Sequence, residues 1–395
     1  MTLDFQQIRE QVKALGEKAP AREQELRELY DLAYNVFHAN ANEVEYLRQR
    51  VKQVVDQFDP FVRCALPVAE SLDSHFPPPD LPREATILAA DGSQISPDRH
   101  AAVDFCLINV GAVKMRLGVV EPPSLSVSSR LFYDLDLYTP GGLMTDASLA
   151  LMRDFNERKM LAELASGSPP PVITFTDGQM ELWGRFGEGL AAAEFQKHLD
   201  QYLQVLKHLC KLDVISAGYV DKPAANHVIR LLEAALLPET ELPKFRESFP
   251  LRGVKDLNIF SALLAPGERS AIFELQSRSA SYYRNSLSLH FFYLNVGRDD
   301  RPWLARVEFP AWVAEHENKI NYLHAVLIDQ CRIVGSRPYP YLLHRAHELA
   351  LVSLEEKRQV ENMITLELHQ QGLAIGEISQ KKALKEGARK KRYLR

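Results

Sequence analysis

The stretch ILAADGSQ at residues 87–94 decides the fold, because VITFTDGQM at residues 172–180 repeats its pattern. In both stretches a short apolar run predicts a buried strand, and the Asp-Gly pair that follows predicts a turn at the end of that strand. Glycine suits such a turn because it adopts positive φ angles at little cost. The sequence therefore predicts two similar strands, with Asp91 and Asp177 at their carboxyl ends.

Helical and strand-like segments alternate around these two strands. Apolar spacing predicts helices at residues 146–165, 190–210, 227–236 and 314–332 and from residue 342 onward. β-Branched and aromatic runs predict strands within residues 101–118, 213–223, 271–296 and 303–309. This alternation predicts an α/β fold with a mixed sheet flanked by helices.

The two ends of the chain differ from this central region. Apolar residues recur every three or four positions up to about residue 75, which predicts a helical arm over residues 1–76 that forms either dimer contacts or a plain packed helix pair. The run PPPDLP at residues 77–82 breaks the helix, and the main domain is predicted over residues 80–355. Residues 356–395 are predicted as a helix and a basic tail that either binds phosphates or only adds solubility.

Composition limits the function classes. The 395 residues carry a net charge of -5, so a protein that coats nucleic acid with a general positive field is excluded, and any nucleic-acid site must be a local basic patch. The four cysteines lie far apart and form no CxxC pair, which predicts a reducing cytoplasm and no disulfide framework. The sequence has no apolar signal segment at its start and no run of about 18 apolar residues, so no membrane location is expected.

Carboxylates are the first candidates for chemistry. Asp91 and Asp177 on neighbouring strands could share one divalent cation, and their hard oxygens suit Mg²⁺ or Mn²⁺. The alternative is that each Asp-Gly pair is an ordinary turn. A third acidic ligand could come from the helix at residues 146–165, where Glu157 and Glu163 both lie on partly apolar faces. For each glutamate the alternative is a solvated position at the boundary between the buried and exposed faces of the helix.

Other candidates lie toward the C-terminus. His347, on the helix that starts near residue 342, shares a face with apolar residues and is expected to point inward, either as a ligand or proton carrier or as a core histidine. Lys222, after a predicted strand, could meet a phosphate or be a turn residue. Arg278, Tyr283 and Arg284 combine cations with an aromatic ring, as single-stranded nucleic acid requires, although core packing also explains the tyrosine.

The chain resembles the NurA nuclease family. The resemblance rests on ILAADGSQ and VITFTDGQM together with AGYVDKP at 217–223, LLAPGERSAIF at 263–273 and YPYLLHRAHELA at 339–350, in the family's order. It implies an RNase H-like core that binds Mn²⁺ (or Mg²⁺) and digests DNA from 5′ to 3′ and within single strands. It also implies a homodimer that works with a hexameric HerA-type ATPase in DNA end resection and repair. The chain contains no G-x-x-x-x-G-K-[ST] motif, so the ATPase would be a separate protein.

The resemblance also implies roles for single residues. Asp91 and Asp177 match the family's metal-binding aspartates, His347 matches its C-terminal histidine, and Tyr339 lies at a suitable distance before that histidine. The acidic ligand falls on Glu157 or Glu163, and Glu157 is preferred. Three other functions stay open: a non-catalytic DNA-binding adaptor for the ATPase, an RNA-directed RNase H-like nuclease, and a metal phosphoesterase for small molecules.

Overall fold

Helices and strands cover most of the chain in the computed structural model, which describes residues 3–98, 103–139, 142–182, 190–298, 301–333, 335 and 337–372. The predicted basic tail at residues 376–395 lies outside these residues. No helix within them is both long enough and apolar enough to cross a membrane.

The elements are numbered in chain order. The strands are β1 (Cys64–Pro67), β2 (His75–Phe76), β3 (Ala85–Ile95), β4 (Phe105–Leu117), β5 (Ser124–Tyr133), β6 (Tyr138–Thr139), β7 (Gly142–Leu143), β8 (Val172–Asp177), β9 (Ile215–Asp221), β10 (Arg269–Ser270), β11 (Phe273–Gln276), β12 (Leu289–Asn295) and β13 (Leu304–Pro310). The α-helices are α1 (Phe5–Ala39), α2 (Val44–Gln57), α3 (Asp146–Ala165), α4 (Leu190–Lys211), α5 (His227–Leu236), α6 (Asp256–Leu263), α7 (Ala311–Ala314), α8 (Glu317–Ile333), α9 (Tyr341–Ala350) and α10 (Leu354–Gln370).

These elements form two compact units. The first contains Met1–Leu81 and Tyr219–Pro338, and the second contains Pro82–Gly218 and Tyr339–Arg395. Both Asp-Gly stretches belong to the second unit. The predicted domain limits at residues 76, 80 and 355 stay a prediction.

The sheet of the second unit is mixed. β3, β4 and β5 form an antiparallel meander, β8 lies parallel to β3 on its other side, and the beginning of β9 lies next to β8. An antiparallel meander whose first strand also carries a parallel neighbour, reached through a helix, is the arrangement of an RNase H-like core. The predicted fold class, a mixed sheet flanked by helices, is confirmed.

Helices α3 and α9 cover opposite faces of this sheet. A Cβ atom on Gly92 would lie 2.6 Å from Arg153 Cγ of α3. A Cβ atom on Gly111 would lie 2.7 Å from Leu349 Cβ of α9. Gly111 pairs with Asp91, the neighbour of Gly92, and directly opposed residues of an antiparallel pair point to the same face. Asp91 therefore points to the face of α9, while Gly92 points to the face of α3.

The predicted C-terminal helix is divided into α9 and α10. α9 ends at Ala350, and α10 begins after a capping box in which Ser353 and Glu356 satisfy each other's backbone N–H groups. On the sheet, Ile95, Phe105 and Leu107 form a buried cluster, and half-buried apolar residues pack against it: Val352, Val360 and Ile364. Local capping thus starts a new helix where the sequence predicted one continuous element.

The first unit contains the antiparallel strands β11, β12 and β13, with β1 pairing on the free side of β11. The helical interpretation of residues 1–75 is confirmed for α1 and α2 and wrong for β1 and β2. β1 is buried at three of its four residues, and it is a strand because it pairs with β11, a partner far along the chain. The strands predicted within residues 271–296 are interrupted, because two 3₁₀ turns lie between β11 and β12.

Helix α1 is buried against the rest of its unit at its C-terminal part. Ala33 and Phe37 are buried, and the Phe37 ring packs edge-on against Phe260 of α6 at a centroid distance of 5.9 Å. Every residue from 5 to 25 is exposed. The N-terminal half of the predicted arm therefore carries its apolar residues in contact with solvent.

Candidate active site

Asp91 lies inside β3 and not at its end. β3 continues to Ile95 and pairs with β4 at every residue, so the turn predicted at residues 91–93 is wrong. The strand continues because β4 offers a paired partner to each of these residues. The Asp91 side chain is 16% exposed, and its Oδ2 lies 2.6 Å from Nδ1 of His347 on α9.

Gly92 is required for a close approach and not for a turn. Its φ is outside the left-handed region. A Cβ atom at this position would lie 2.6 Å from Arg153 Cγ and 2.7 Å from Glu157 Oε1, which is shorter than real Cβ contacts allow. The glycine therefore lets α3 bring Glu157 against the backbone of β3.

Asp177 and Gly178 follow the predicted pattern. Asp177 is the exposed last residue of β8, and Gly178 makes the turn with a φ of +89°. In the parallel register of β3 and β8, Ala90 lies opposite Thr176, and each aspartate directly follows this pair. Adjacent strands are about 4.8 Å apart. The backbones at Asp91 and Asp177 are therefore one strand spacing from each other.

Glu157 adds a buried carboxylate to the two aspartates. It is 5% exposed on α3, and its Oε1 lies 3.4 Å from Arg153 Nε. Burial raises the pKa of Glu157 well above its usual range, and the negative charges of Asp154 and Asp91 raise it further. Glu163, the other candidate, is 66% exposed and pairs with Lys159. Six residues along a helix lead to a different face, so only Glu157 lies beside the aspartates.

Arg153 and Asp154 belong to this cluster and were missed in the sequence. Arg153 Nη2 donates to Asp154 Oδ1 at 2.9 Å, and one third of the arginine side chain is exposed. Burial raises the pKa of Asp154, although Arg153 opposes this shift. The spacing of Arg153 and Glu157, four residues apart on a predicted helix, was the available signal.

A cavity of about 170 Å³, which we name the active-site cavity, opens between α3 and the turn after β8. Its lining includes Glu157, Asp177, Glu181 and Arg158. Arg158 is 2% exposed, and its Nη1 donates to the carbonyl oxygen of Ala217 at 3.0 Å. Its Nη2 is buried and has no hydrogen-bond partner within the described part of the chain. The cavity therefore combines a buried cation with several carboxylates.

His347 does not point into the core as predicted. Its side chain is 62% exposed, whereas Leu343 and Ala350 of the same helix are buried. The ring lies at the edge of α9, where Nδ1 reaches Asp91. Tyr339 is half-buried two residues before α9. Its role stays a prediction.

The carboxylates fit a hard divalent cation in their chemistry. Oxygen ligands are available from four carboxylates: Asp91, Asp154, Glu157 and Asp177. Burial and the neighbouring negative charges raise the pKa of Glu157, so a bound cation would favour its ionised form. In the described residues, no three His, Cys, Asp or Glu side chains are already arranged around a common metal position. Asp91 contacts His347, and Glu157 contacts Arg153.

The predicted nucleic-acid contacts lie in the first unit. Lys222 is exposed after β9 with a φ of 42°, and its Nζ lies 3.5 Å from the centre of the Trp303 ring. Arg278 and Arg284 are exposed. Tyr283 is only 3% exposed, which disagrees with the prediction because a buried ring offers no surface on which a base can stack.

Comparison with known proteins identifies a family. The model of the NurA domain matches residues 85–352, more than half of the chain. The NurA nuclease from Sulfolobus solfataricus is similar in structure over 87% of this chain and 98% of that chain, with 12% identity and a TM-score of 0.44. The catalytic domain of human Endonuclease V is similar over 71% and 84%, with 16% identity and a TM-score of 0.32. No curated protein matches the sequence.

Proposed function

Because the chain belongs to the NurA domain family, we propose that it is a metal-dependent nuclease that hydrolyses phosphodiester bonds in DNA. The observation that carries the proposal is the placement of Asp91 and Asp177 at successive register positions of two adjacent strands, with Glu157 packed against the same point through Gly92. Carboxylates gathered around neighbouring positions of two adjacent strands are typical of sites that bind Mn²⁺ or Mg²⁺.

In this proposal Asp91, Glu157 and Asp177 hold the cation. A bound divalent ion supplies positive charge at the scissile phosphate and lowers the pKa of water. Asp91 uses Oδ2 for His347, so Oδ1 is its proposed ligand atom. Arg153, which is partly exposed beside the carboxylates, donates hydrogen bonds to a phosphate oxygen of the bound strand.

His347 acts as a proton carrier rather than as a ligand. The contact with Asp91 engages Nδ1 and fixes the ring, so Nε2 is the nitrogen that meets substrate. The ring is largely exposed, so a bound strand can come within hydrogen-bond reach of it. Tyr339, a further catalytic residue implied by the resemblance, would act near the same helix end.

The partners are proposed from the family resemblance. We infer that the chain forms a homodimer and works with a hexameric HerA-type ATPase in DNA end resection, degrading strands from 5′ to 3′ and cutting single strands. The chain contains no nucleotide-binding P-loop motif of its own, which agrees with a separate motor protein. Lys222, Arg278 and Arg284 are exposed cations and are proposed contacts to DNA phosphates.

The test is cleavage of 5′- and 3′-labelled DNA, single- and double-stranded, with Mn²⁺, Mg²⁺ or EDTA. Asp177→Asn and Glu157→Gln should lower the rate at least a hundredfold, because each removes a charged ligand. Glu163→Gln is the matched control on the same helix and should cut like the wild type, since its side chain is exposed and pairs with Lys159.

Three results would change the proposal. No cleavage, even with a cognate ATPase present, would favour the adaptor function. Preference for RNA of the same sequence would favour an RNA-directed nuclease. Full metal-dependent activity of Asp177→Asn would contradict the assignment of the site itself.

A further inference from the structure

A second cavity lies in the same unit as the candidate active site. It has a volume of about 470 Å³, and we name it the β5–α4 cavity. Its lining includes Arg130 and Phe132 of β5, Tyr138, Met152 of α3, and Lys197 and His198 of α4. None of these residues belongs to the carboxylate cluster described above.

The β5–α4 cavity and the active-site cavity lie along the same two helices. α3 contributes Met152 to one cavity and Arg153 and Glu157 to the other. α4 contributes His198 to the β5–α4 cavity and Tyr202 to the active-site cavity. Four to five residues of helix correspond to roughly 6–8 Å, which is about twice the 3.4 Å rise of a nucleotide in a duplex strand. Lining residues of the two cavities are therefore separated along each helix by a length comparable to one or two nucleotide steps.

The surface of the β5–α4 cavity has both apolar and charged parts. Phe132 and Met144 line the cavity and are buried, while Tyr138 is 63% exposed. Two cations, Arg130 and Lys197, are accompanied by two anions, Asp136 and Glu194.

This combination fits a nucleotide better than a wholly apolar ligand. A base can stack on an aromatic ring whatever its sequence, and a neighbouring cation can meet its phosphate. An apolar ligand would leave the four charged side chains of the lining unused.

We propose that the β5–α4 cavity receives a nucleobase of the DNA strand that is cut at the carboxylate cluster, with Tyr138 stacking on the base and Lys197 contacting the adjoining phosphate. The inference rests on the proposed nuclease function. It adds a binding subsite that fixes the strand one or two nucleotides from the reacting phosphate.

The first experiment measures binding without cleavage. Fluorescein-labelled single-stranded oligo-dT is titrated with protein in EDTA and followed by fluorescence anisotropy. Tyr138→Ala should weaken binding about tenfold, since a stacked base contributes that order of affinity. Tyr133→Ala is the control, because Tyr133 is similarly exposed (60%) but does not line the cavity. Equal binding by Tyr138→Ala and wild type would overturn the proposal.

Salt dependence tests the phosphate contact. Lys197→Gln should reduce the slope of the logarithm of the affinity against the logarithm of salt concentration by about one, as expected for one lost phosphate contact. Lys207→Gln, an exposed lysine farther along α4 that is not part of the lining, should leave the slope unchanged. The same slope in wild type and Lys197→Gln would contradict the phosphate contact.

Abasic substitutions locate the base. A single abasic nucleotide is placed at each position on either side of the cut, and cleavage rates with Mn²⁺ are compared. Wild type should slow about tenfold when the base is missing one or two nucleotides from the cut, and Tyr138→Ala should no longer respond to that position. Equal responses of the two proteins would overturn the inference and leave the nuclease intact. A wild type that neither binds nor cuts DNA would overturn the proposed function as well.

Discussion

Gly92 allows the sheet and helix α3 to approach each other closely. We predict that Gly92→Ala lowers metal-dependent cleavage at least tenfold and lowers the free energy of unfolding by about 1–3 kcal/mol, because the added methyl group would overlap Arg153 and Glu157. Urea unfolding and the Mn²⁺ dependence of cleavage measure the two effects.

Gly178→Ala provides the contrast to this prediction. Its Cβ atom would meet nothing within 4 Å, so the only cost is the positive φ, about 1–2 kcal/mol. If Gly92→Ala lost no more activity than Gly178→Ala, the close approach of α3 would not matter for the site.

Arg153 is the cation that contacts the carboxylates directly. We predict that Arg153→Gln binds Mn²⁺ about tenfold more tightly than wild type, because removing the arginine relieves its repulsion of the metal ion. The same variant should cut DNA more slowly at saturating Mn²⁺, since the phosphate loses a charged donor. Calorimetry measures metal affinity, and single-turnover cleavage measures the rate.

Lys159→Gln is the matched control for Arg153→Gln. Lys159 is 53% exposed on the same helix and pairs with Glu163, away from the carboxylates. Weaker Mn²⁺ binding by Arg153→Gln would show that the arginine arranges the carboxylates instead of competing with the ion.

Helix α8 is tied to the loop before β10 by one buried histidine. His324 Nε2 donates to the carbonyl oxygen of Gly267 at 2.7 Å, and the side chain is 1% exposed. Burial lowers the pKa of His324 to about 4, against about 6.5 in the unfolded chain. The neutral form is therefore the one that the folded state prefers.

The stability from this histidine is present above pH 6.5 and is lost as the pH falls toward 4. Between pH 7.5 and pH 4 the wild type should lose about 3 kcal/mol more than His324→Gln, whose side chain can still donate but does not titrate. Urea unfolding of both proteins across this range gives the difference. Parallel pH curves for the two proteins would contradict the prediction.

The sequence predicted those elements whose formation depends on neighbouring residues, such as apolar spacing and helix capping. The bounds of α3 match the predicted residues 146–165, because apolar spacing and the side-chain cap by Thr145 are both encoded within the helix. β1 was missed because its strand conformation depends on pairing with β11, which no neighbouring residue encodes. In the same way, β3 continues past Asp91 only because β4 pairs with it.

The site was predictable in its residue types but not in its geometry. The repeated Asp-Gly pattern selected Asp91 and Asp177 as candidates, and the strand register places their backbones next to each other. The reason for Gly92 lay in its distance to α3, which sequence does not contain. His347 was predicted to point inward, but its side chain is exposed. It lies at the edge of the α9 surface that packs on the sheet, where buried and exposed residues alternate along the helix.

At the scale of the whole molecule, α1 carries a surface that its own unit does not cover. Phe5, Ile8, Val12 and Leu15 are spaced by three, four and three residues and are between 37% and 70% exposed. This is the spacing of a coiled-coil seam, and exposed apolar seams of this kind mark association surfaces. The same spacing leads on to Ala33, which packs within the unit.

Flanking charges favour two parallel copies of this helix. With the apolar residues at the a and d positions, Asp4 of one copy lies opposite Arg9 of the other, and Lys18 lies opposite Glu23. Both pairs join opposite charges and occur twice in a symmetric dimer. The α1 seam is therefore where we place the contact of the proposed homodimer.

Substitution in the seam tests this contact directly. We predict that Val12→Asp combined with Leu15→Asp changes the protein from a dimer to a monomer in sedimentation velocity, because two charges per helix would be buried without partners. Both side chains are exposed within the single chain, so the variant should keep its fold, which circular dichroism checks. Ala14→Asp, exposed on the same helix but outside the seam, should remain dimeric. A monomeric wild type, or a double variant that stays dimeric, would exclude α1 as the contact.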